Sequence, residues 1–483
     1  MKNIKKIFSA LLVFVLAIFA VNTVNAETVT GSITVNKTVA GKTYEIYKIF
    51  DLTYSGSNVA YTIDENWVAF FEGAGSSYIS STNTGNLNPI TIGTTTKYIN
   101  ITNDNIVEFT QKALAYAASV DADATDVAEG ETLVFSGLAL GYYLVYPQGA
   151  TEKNDANGSI ASINSTMKDA VVNVKAKYPE ITKTVNEHSF DVGEYAQFTI
   201  TGKVPDTTGF TTYTYEISDT WTAGLELDTT KVNFLVKIGE TPITSVAPVY
   251  TANGFTLTFD MVNFQELNKE SLVGKTITVT YNLKVTKDAI NSTETKNSAT
   301  LTYSTNPKTK ETTTTTPVEE YVYSSKIVVT KVDGKDNTTT LAGATFVLKG
   351  SEGYYKEVKN DNGLVEVQWV STIDEATKLT TGEDGIISFE GLKNGSYELI
   401  ETEAPLGYNK LPNPVKVSIS GDYDKNKKPI PSITRETVAN NTGTQLPSTG
   451  GFGTTMFIMI GSLLALLSAI VLVTNKRMAK EYL

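Results

Sequence analysis

The stretch Thr276-Ile277-Thr278-Val279-Thr280-Tyr281 sets an apolar or aromatic residue at every second position and a threonine between. Successive side chains of a β-strand point to opposite faces, so this segment has one face for a core and one for water. The same period of two recurs in Ser32-Ile33-Thr34-Val35 and in Ala196-Gln197-Phe198-Thr199-Ile200, with Gly and Asn turns between the blocks. Half-buried strands rich in β-branched residues are the material of sandwiches. The chain is therefore predicted to be mainly β, a tandem row of immunoglobulin-like β-sandwich domains. One segment breaks the pattern: within 103–119, Ile106, Phe109, Ala113, Tyr116 and Ala117 recur at helical spacing behind polar capping residues. It predicts a helix, and a second short one is expected around residues 67–71. The first domain is thus expected to be a β-sandwich with helical insertions.

Two changes of composition divide the chain. At Lys177-Tyr178-Pro179-Glu180 the proline ends one alternating block, and Ile181-Thr182-Lys183-Thr184-Val185 begins the next. Residues 307–320 hold a threonine run and two prolines, with too little apolar content to pack, and read as a Thr/Pro linker. Three domains result, at 27–177, 178–306 and 321–442.

The ends carry addresses. Residues 1–26 begin with Lys2, Lys5 and Lys6, continue through an apolar run at 7–21 and close on the small-residue exit Val24-Asn25-Ala26, the layout of a secretory signal peptide. At the other end, Leu446-Pro447-Ser448-Thr449-Gly450 precedes an apolar segment at 452–474 and then Lys476, Arg477 and Lys480. That segment is long enough to cross a hydrocarbon layer about 30 Å thick at roughly 1.5 Å per residue, with the cations holding its end in the cytoplasm. Removing 1–26 and 450–483 leaves 34 cations against 51 carboxylates, a net charge of −17 in place of −12. Such a surface has the wrong sign for phosphate, which excludes nucleic acid as a partner. With no cysteine, an exported chain cannot use disulfides, so its stability has to come from cores or from another covalent chemistry. A separate enzyme domain is not expected: the single histidine, His188, stands beside Glu187 in a turn-like context, and there is no Gly-rich phosphate loop. Asp422, Asp424 and Asn426 have part of a calcium-loop spacing but lack its Gly and terminal Glu, so a solvated turn is expected, with neither metal nor cofactor.

Placed before a terminal membrane span and a basic tail, Leu446-Pro447-Ser448-Thr449-Gly450 resembles the LPxTG cell-wall sorting signal of Gram-positive surface proteins. The resemblance implies cleavage between Thr449 and Gly450 by the transpeptidase sortase, and a secreted protein anchored to the cell wall.

Tyr397-Glu398-Leu399-Ile400-Glu401-Thr402-Glu403-Ala404-Pro405-Leu406-Gly407-Tyr408 resembles the E-box, YxLxETxAPxGY, of Gram-positive pilins. Thr330-Lys331-Val332-Asp333, followed by Leu341-Ala342-Gly343-Ala344-Thr345-Phe346, is similar to the opening of a collagen-adhesin B-type (CnaB) domain, and Val438-Ala439-Asn440 to its last strand. The resemblance implies an intramolecular isopeptide bond between Lys331 and Asn440, with Glu401 as catalyst. Such a bond needs an uncharged amine as nucleophile and a polarised carboxamide. Burial lowers the pKa of a lysine and raises that of a carboxylic acid, so both can be neutral inside a core. The protonated acid can then donate to the carboxamide oxygen, shuttle a proton and let ammonia leave. Tyr397, Leu399 and Glu401 alternate, so on a strand they share one face, expected to be the apolar one.

In the second domain, Lys183 lies in the first strand, Asp219 in Glu216-Ile217-Ser218-Asp219-Thr220 and Asn297 in Lys296-Asn297-Ser298-Ala299-Thr300. This order of lysine, early acid and late asparagine is similar to the A-type collagen-adhesin (CnaA) domain, which implies a Lys183–Asn297 bond with Asp219 as catalyst. Glu216 and Lys203 stand as alternatives. In the first domain, Gly141-Tyr142-Tyr143-Leu144-Val145-Tyr146-Pro147 resembles the E-box strand with Tyr146 in the place of the catalytic Glu. No internal bond is expected there, and this domain is expected to be the most labile.

Val172-Asn173-Val174-Lys175-Ala176-Lys177 is similar to the VxVYPK portion of the pilin motif, which places Lys177 on the acceptor lysine. Tyr-Pro follows the lysine here and no Trp stands upstream, so Lys175 and Lys183 remain alternatives. Over nearly the full chain these features resemble the major, or backbone, subunit of sortase-assembled Gram-positive pili. By that resemblance sortase forms a thioester with Thr449, and the amine of Lys177 in the next subunit resolves it. The implied partners are identical subunits in a covalent polymer, sortase, peptidoglycan, ancillary pilins and a host matrix protein. A monomeric wall-anchored adhesin binding a host matrix protein, or an ancillary pilin, is the competing reading.

Overall fold

The computed structural model describes residues 29–55, 58–83, 89–92, 94–151, 159–164, 166–174, 176–231, 234–267, 272–424, 428–431, 433–443 and 452–478. The signal-peptide-like residues 1–26, the 446–450 motif with Thr449, Lys175, Asn426 and Lys480 lie outside the described residues. The chain divides into two compact units, Met1–Ser325 with Lys359–Glu366 and Gly421–Pro431, and Lys326–Val358 with Val367–Ser420 and Ser432–Leu483.

The first unit holds two sandwiches. In the first, strand Thr30–Asn36 is central to a three-stranded sheet, parallel to Asp169–Asn173 and antiparallel to Thr132–Ala139. Strand Thr43–Ser55 lies in the facing sheet between Gly141–Pro147 and Asn58–Ile63. Ile33, Val35, Tyr44, Ile46, Tyr143 and Val145 fill the space between the sheets. The outer face of the second sheet is covered by helix Ile106–Ala117 and the short helix Val68–Glu72, which add a second core of Tyr47, Phe50, Trp67, Phe70, Phe71, Phe109 and Leu144. Both helices fall where the helical spacing predicts them. Their cover also explains why Thr43–Ser55 does not alternate cleanly: a strand buried on both faces has no polar side to show.

The second sandwich has one sheet with the order Thr182–Val185, Tyr195–Lys203, Thr276–Val285, Leu235–Ile238 and Thr241–Pro242. The other runs Val249–Thr251, Gly254–Thr258, Tyr215–Trp221, Lys296–Ser304 and Thr312–Thr314. Along Thr276–Val285 the expected alternation is complete, with Ile277, Val279, Tyr281, Leu283 and Val285 all fully buried. Residues 307–320 differ from the linker expected of them. Thr312–Thr314 and Val318–Tyr321 both pair antiparallel with Lys296–Ser304, helped by hydroxyl contacts such as Thr302 to Thr314 at 2.9 Å. Backbone pairing onto an open strand edge needs no apolar side chains, so composition underrates it.

In the second unit, strand Ser325–Asp333 lies between Ile386–Leu392 and Ile433–Asn440 and runs parallel to the latter. Across the core, Gly395–Glu403 is flanked by Thr345–Gly350 and Val415–Ile419. The topology repeats that of the first sandwich: the opening strand is central and the closing strand pairs with it in parallel. Beyond it, helix Phe452–Met478 contains Met456–Lys476, long and apolar enough to cross a membrane and with none of it buried, which is compatible with an anchor.

Candidate cross-linking sites

Strand Thr182–Val185 turns Thr182 and Thr184 outward and Lys183 into the core. Asp219 and Asn297 come from two adjoining strands of the facing sheet, where Asp219 pairs with Ala299 and Trp221 with Asn297. The side chains of Lys183 and Asp219 are wholly buried and ion-paired through Asp219 Oδ2, and Asn297 is wholly buried beside them. A fourth residue, Tyr281, joins all three. Its hydroxyl accepts from Lys183 Nζ at 2.6 Å and from Asn297 Nδ2 at 2.8 Å, and donates to Asp219 Oδ2 at 2.7 Å. Asp219 Oδ1 and Asn297 Oδ1 are buried with no hydrogen-bond partner. The rings of Phe198 and Tyr281 wall the ammonium, each with its centroid 5.3 Å from Nζ. Burial pushes Lys183 down and Asp219 up, and in each case outweighs the attraction between them. Both shifts favour the neutral pair that amide formation requires. The alternatives lie elsewhere: Lys203 is exposed, and Glu216 is half-buried at the sheet surface beside Thr258.

In the second unit, Tyr397, Leu399 and Glu401 share the buried face of Gly395–Glu403, as their alternation predicts. Lys331 and Asn440 stand on neighbouring parallel strands, Lys331 opposite Val438 and Asp333 opposite Asn440. Lys331 is 0% exposed, Asn440 1% and Glu401 2%, so all three groups are sealed from water. Asn440 Nδ2 lies 2.9 and 3.1 Å from the two Glu401 oxygens, and Lys331 Nζ lies 4.0 Å from Glu401 Oε1 while donating to the Val438 carbonyl at 2.9 Å. The Leu411 N–H holds Glu401 Oε2 at 2.7 Å, and Asn440 Oδ1 is buried without a partner. Desolvation lowers the Lys331 pKa to about 8 against the pull of Glu401. The rest of the twelve-residue motif braces the site. The Tyr397 hydroxyl donates to Lys393 O at 2.6 Å, Gly407 takes φ +88°, and the Tyr408 hydroxyl donates to Asp333 Oδ2 at 2.9 Å, two residues beyond the lysine.

The first sandwich shifts the sequence alignment by one residue. The Tyr143 hydroxyl donates to Ala139 O, four residues back, at 2.7 Å, the same bond that Tyr397 makes. Tyr143, Val145 and Pro147 therefore occupy the core-facing positions of Tyr397, Leu399 and Glu401. Pro147, not Tyr146, stands where the acid would be; Tyr146 packs on the helical side. A repeated tyrosine at 142–143 makes the two registers indistinguishable in sequence.

Lys177 is exposed, between Asp169–Asn173 and Thr182–Val185. Its neighbour Tyr178 is held by the Lys42 ammonium 4.8 Å from its ring and by a 3.4 Å bond from its hydroxyl to that of Tyr44. His188 is half-buried, Nδ1 lying 2.7 Å from Tyr321 O. Among the described residues no group of three His, Cys, Asp or Glu side chains could hold a metal. Sequence reasoning missed Tyr281, whose signal was available: a tyrosine rather than a phenylalanine on a fully buried strand face calls for a partner to its hydroxyl.

The chain is a row of two-sheet sandwiches, the first and last closed by parallel opening and closing strands and the second and last carrying lysine, acid and asparagine in the core. Within it, residues 325–430 match the SpaA family, described as a prealbumin-like fold domain. Among solved structures, the chain is similar to the group B streptococcus pilus 2b backbone protein, at 30% identity over 55% of this chain and 99% of that one, with a TM-score of 0.42. It is also similar to the full-length major pilin SpaD from Corynebacterium diphtheriae, at 22% identity, 87% and 99% coverage and a TM-score of 0.47. A third is the T6 backbone pilin of serotype M6 Streptococcus pyogenes, at 16% identity, 86% and 93% coverage and a TM-score of 0.47. Among curated proteins no match is found.

Proposed function

We propose that this chain is the structural backbone subunit of a covalently polymerised Gram-positive surface pilus, stiffened by self-formed Lys183–Asn297 and Lys331–Asn440 isopeptide bonds. The observation that carries the proposal is the pair of wholly buried Lys–acid–Asn clusters in successive sandwiches. Sealing a lysine and a carboxylate in a core costs several kcal/mol per ion, a cost that makes sense where the groups are reactants. The catalysts are Asp219 and Glu401, acting once on their own chain, so the protein is a substrate of sortase and not an enzyme with turnover.

Exposed Lys177 serves as the acceptor and Thr449 as the donor in head-to-tail joining, a heterologous contact that repeats without closing and so yields a filament. Sortase, peptidoglycan and ancillary pilins are its partners in assembly; wall anchoring follows through the C-terminal helix and the 446–450 motif. Two measurements test this. Intact mass of the chain should fall short of the sequence mass by one ammonia per internal bond, two in total. Wall extracts should show a ladder of high-mass multimers on a denaturing gel that disappears with Lys177→Ala. A single species in the wild-type extract would favour the monomeric adhesin, and no mass deficit would remove the isopeptide chemistry.

A further inference from the structure

We infer that Tyr281 is a catalytic residue of the Lys183–Asn297 bond, its hydroxyl relaying a proton from the attacking amine to the departing amide nitrogen. The inference rests on the isopeptide reading above and adds a fourth group to that centre.

The hydroxyl touches both nitrogens whose proton counts must change. Lys183 Nζ, the nucleophile, is 2.6 Å away and Asn297 Nδ2, the leaving group, 2.8 Å away, with Asp219 Oδ2 at 2.7 Å as the third contact. Packing does not explain the oxygen. The Tyr281 ring sits against Phe198, Phe234 and Phe255, with centroids 5.9, 5.9 and 4.9 Å away, and a phenylalanine would make the same contacts. A hydroxyl in such a core is unfavourable unless it is bonded, and here every bond goes to a reacting group. The Glu401 centre manages without a phenol because Glu401 contacts Asn440 Nδ2 directly through both oxygens.

The steps balance without an outside reactant. Lys183 first passes its extra proton to Asp219, leaving a neutral amine and a neutral acid. A proton on Asp219 supplies a donor to the orphaned Asn297 Oδ1 and polarises its carbonyl. As the bond from Lys183 Nζ to Asn297 Cγ forms, Nζ releases one proton to the phenol oxygen. The phenol turns its own proton to Nδ2, the Cγ–Nδ2 bond breaks, and ammonia leaves. The phenol ends as it began. Burial and the Asp219 charge hold the Tyr281 pKa well above its ordinary value, so it stays protonated and serves as a relay and not as a phenolate base.

The test is the full chain made by cell-free synthesis, sampled over time for intact mass and mapped by tandem mass spectrometry. Tyr281→Phe should slow formation of the Lys183–Asn297 bond by roughly 10²-fold or more, within the range for a lost proton-transfer group. The Lys331–Asn440 bond in the same molecule should form at its usual rate. That second bond, with an unchanged circular dichroism spectrum, shows that the variant folds. Phe234→Leu, which loosens the packing on the Tyr281 ring and keeps the hydroxyl, should link at near the wild-type rate. Placing 3-fluorotyrosine at 281, a more acidic phenol on nearly the same ring, should change the rate of linking, which a packing role would not do. Wild-type linking rates in Tyr281→Phe, or equal slowing by Phe234→Leu, would overturn the inference while leaving the isopeptide reading intact. A wild-type chain lacking both bonds would overturn that reading itself.

Discussion

A lysine sealed beside a carboxylic acid shares one proton with it, and the pair has to be treated as a unit. For the proposed Lys331–Asn440 reaction to use an acid that donates, the single proton has to sit on that acid and leave the lysine amine bare. Raising the pH through the lysine's value of about 8 strips the shared proton from the pair. If Glu401 must donate to the Asn440 carboxamide, the rate of Lys331–Asn440 bond formation should therefore fall as pH rises past about 8, read by mass on freshly folded chains. A rate that climbs through the same range and levels off would show that a free amine is enough and that Glu401 only positions. Glu401→Ala should remove the bond altogether, restoring one ammonia of mass and leaving the Lys183–Asn297 deficit in place. Of these three residues, Glu401 was legible because its motif alternates and fixes which side chains face the core, whereas Lys331 and Asn440 rested on the resemblance to the opening and last strands of a CnaB domain. Tyr281 was legible only as a buried hydroxyl in need of a partner, since alternation does not say that the partners are reacting groups.

At the scale of elements, the two proposed bonds would staple different things. Lys183 and Asn297 belong to facing sheets, whereas Lys331 and Asn440 belong to neighbouring parallel strands of one sheet. Each proposed bond would close a loop of about 110 residues and restrict the unfolded chain by on the order of 4–5 kcal/mol if disulfide loop entropy transfers. Asn440→Ala should thus lower the stability of the last sandwich by about that amount in denaturant unfolding. Gly385 is a second control point. It takes φ +68°, accepts the Lys331 N–H at 2.8 Å, and a Cβ there would lie 2.8 Å from Lys331 O. Gly385→Ala should cost roughly 1–3 kcal/mol by strain and delay the bond by displacing the Lys331 backbone, both read on the same samples. Alternation and helical spacing made the main strands and both helices of the first sandwich legible. The pairing of residues 312–314 and 318–321 was not, because ladder hydrogen bonds leave no mark on composition.

For the whole molecule, the first sandwich is the one without a buried lysine among its described residues. It relies on its double core alone, so it should open first: limited proteolysis on a temperature ramp should cut within 29–174 before the other sandwiches yield. Phe109→Ala, which empties a site packed by Phe70, Phe71 and Tyr78, should cost about 3–5 kcal/mol and advance that cut further. The parallel pairing of Ser325–Asp333 with Ile433–Asn440 has another consequence. With the Lys331–Asn440 amide in place, tension entering at residue 325 runs along an already extended strand to Lys331, crosses, and leaves after Asn440. Residues 332–439 hang off that route as slack. A strand already near its limit of roughly 3.3–3.6 Å per residue has almost no length left to give, so this segment behaves under pull as a short inextensible link.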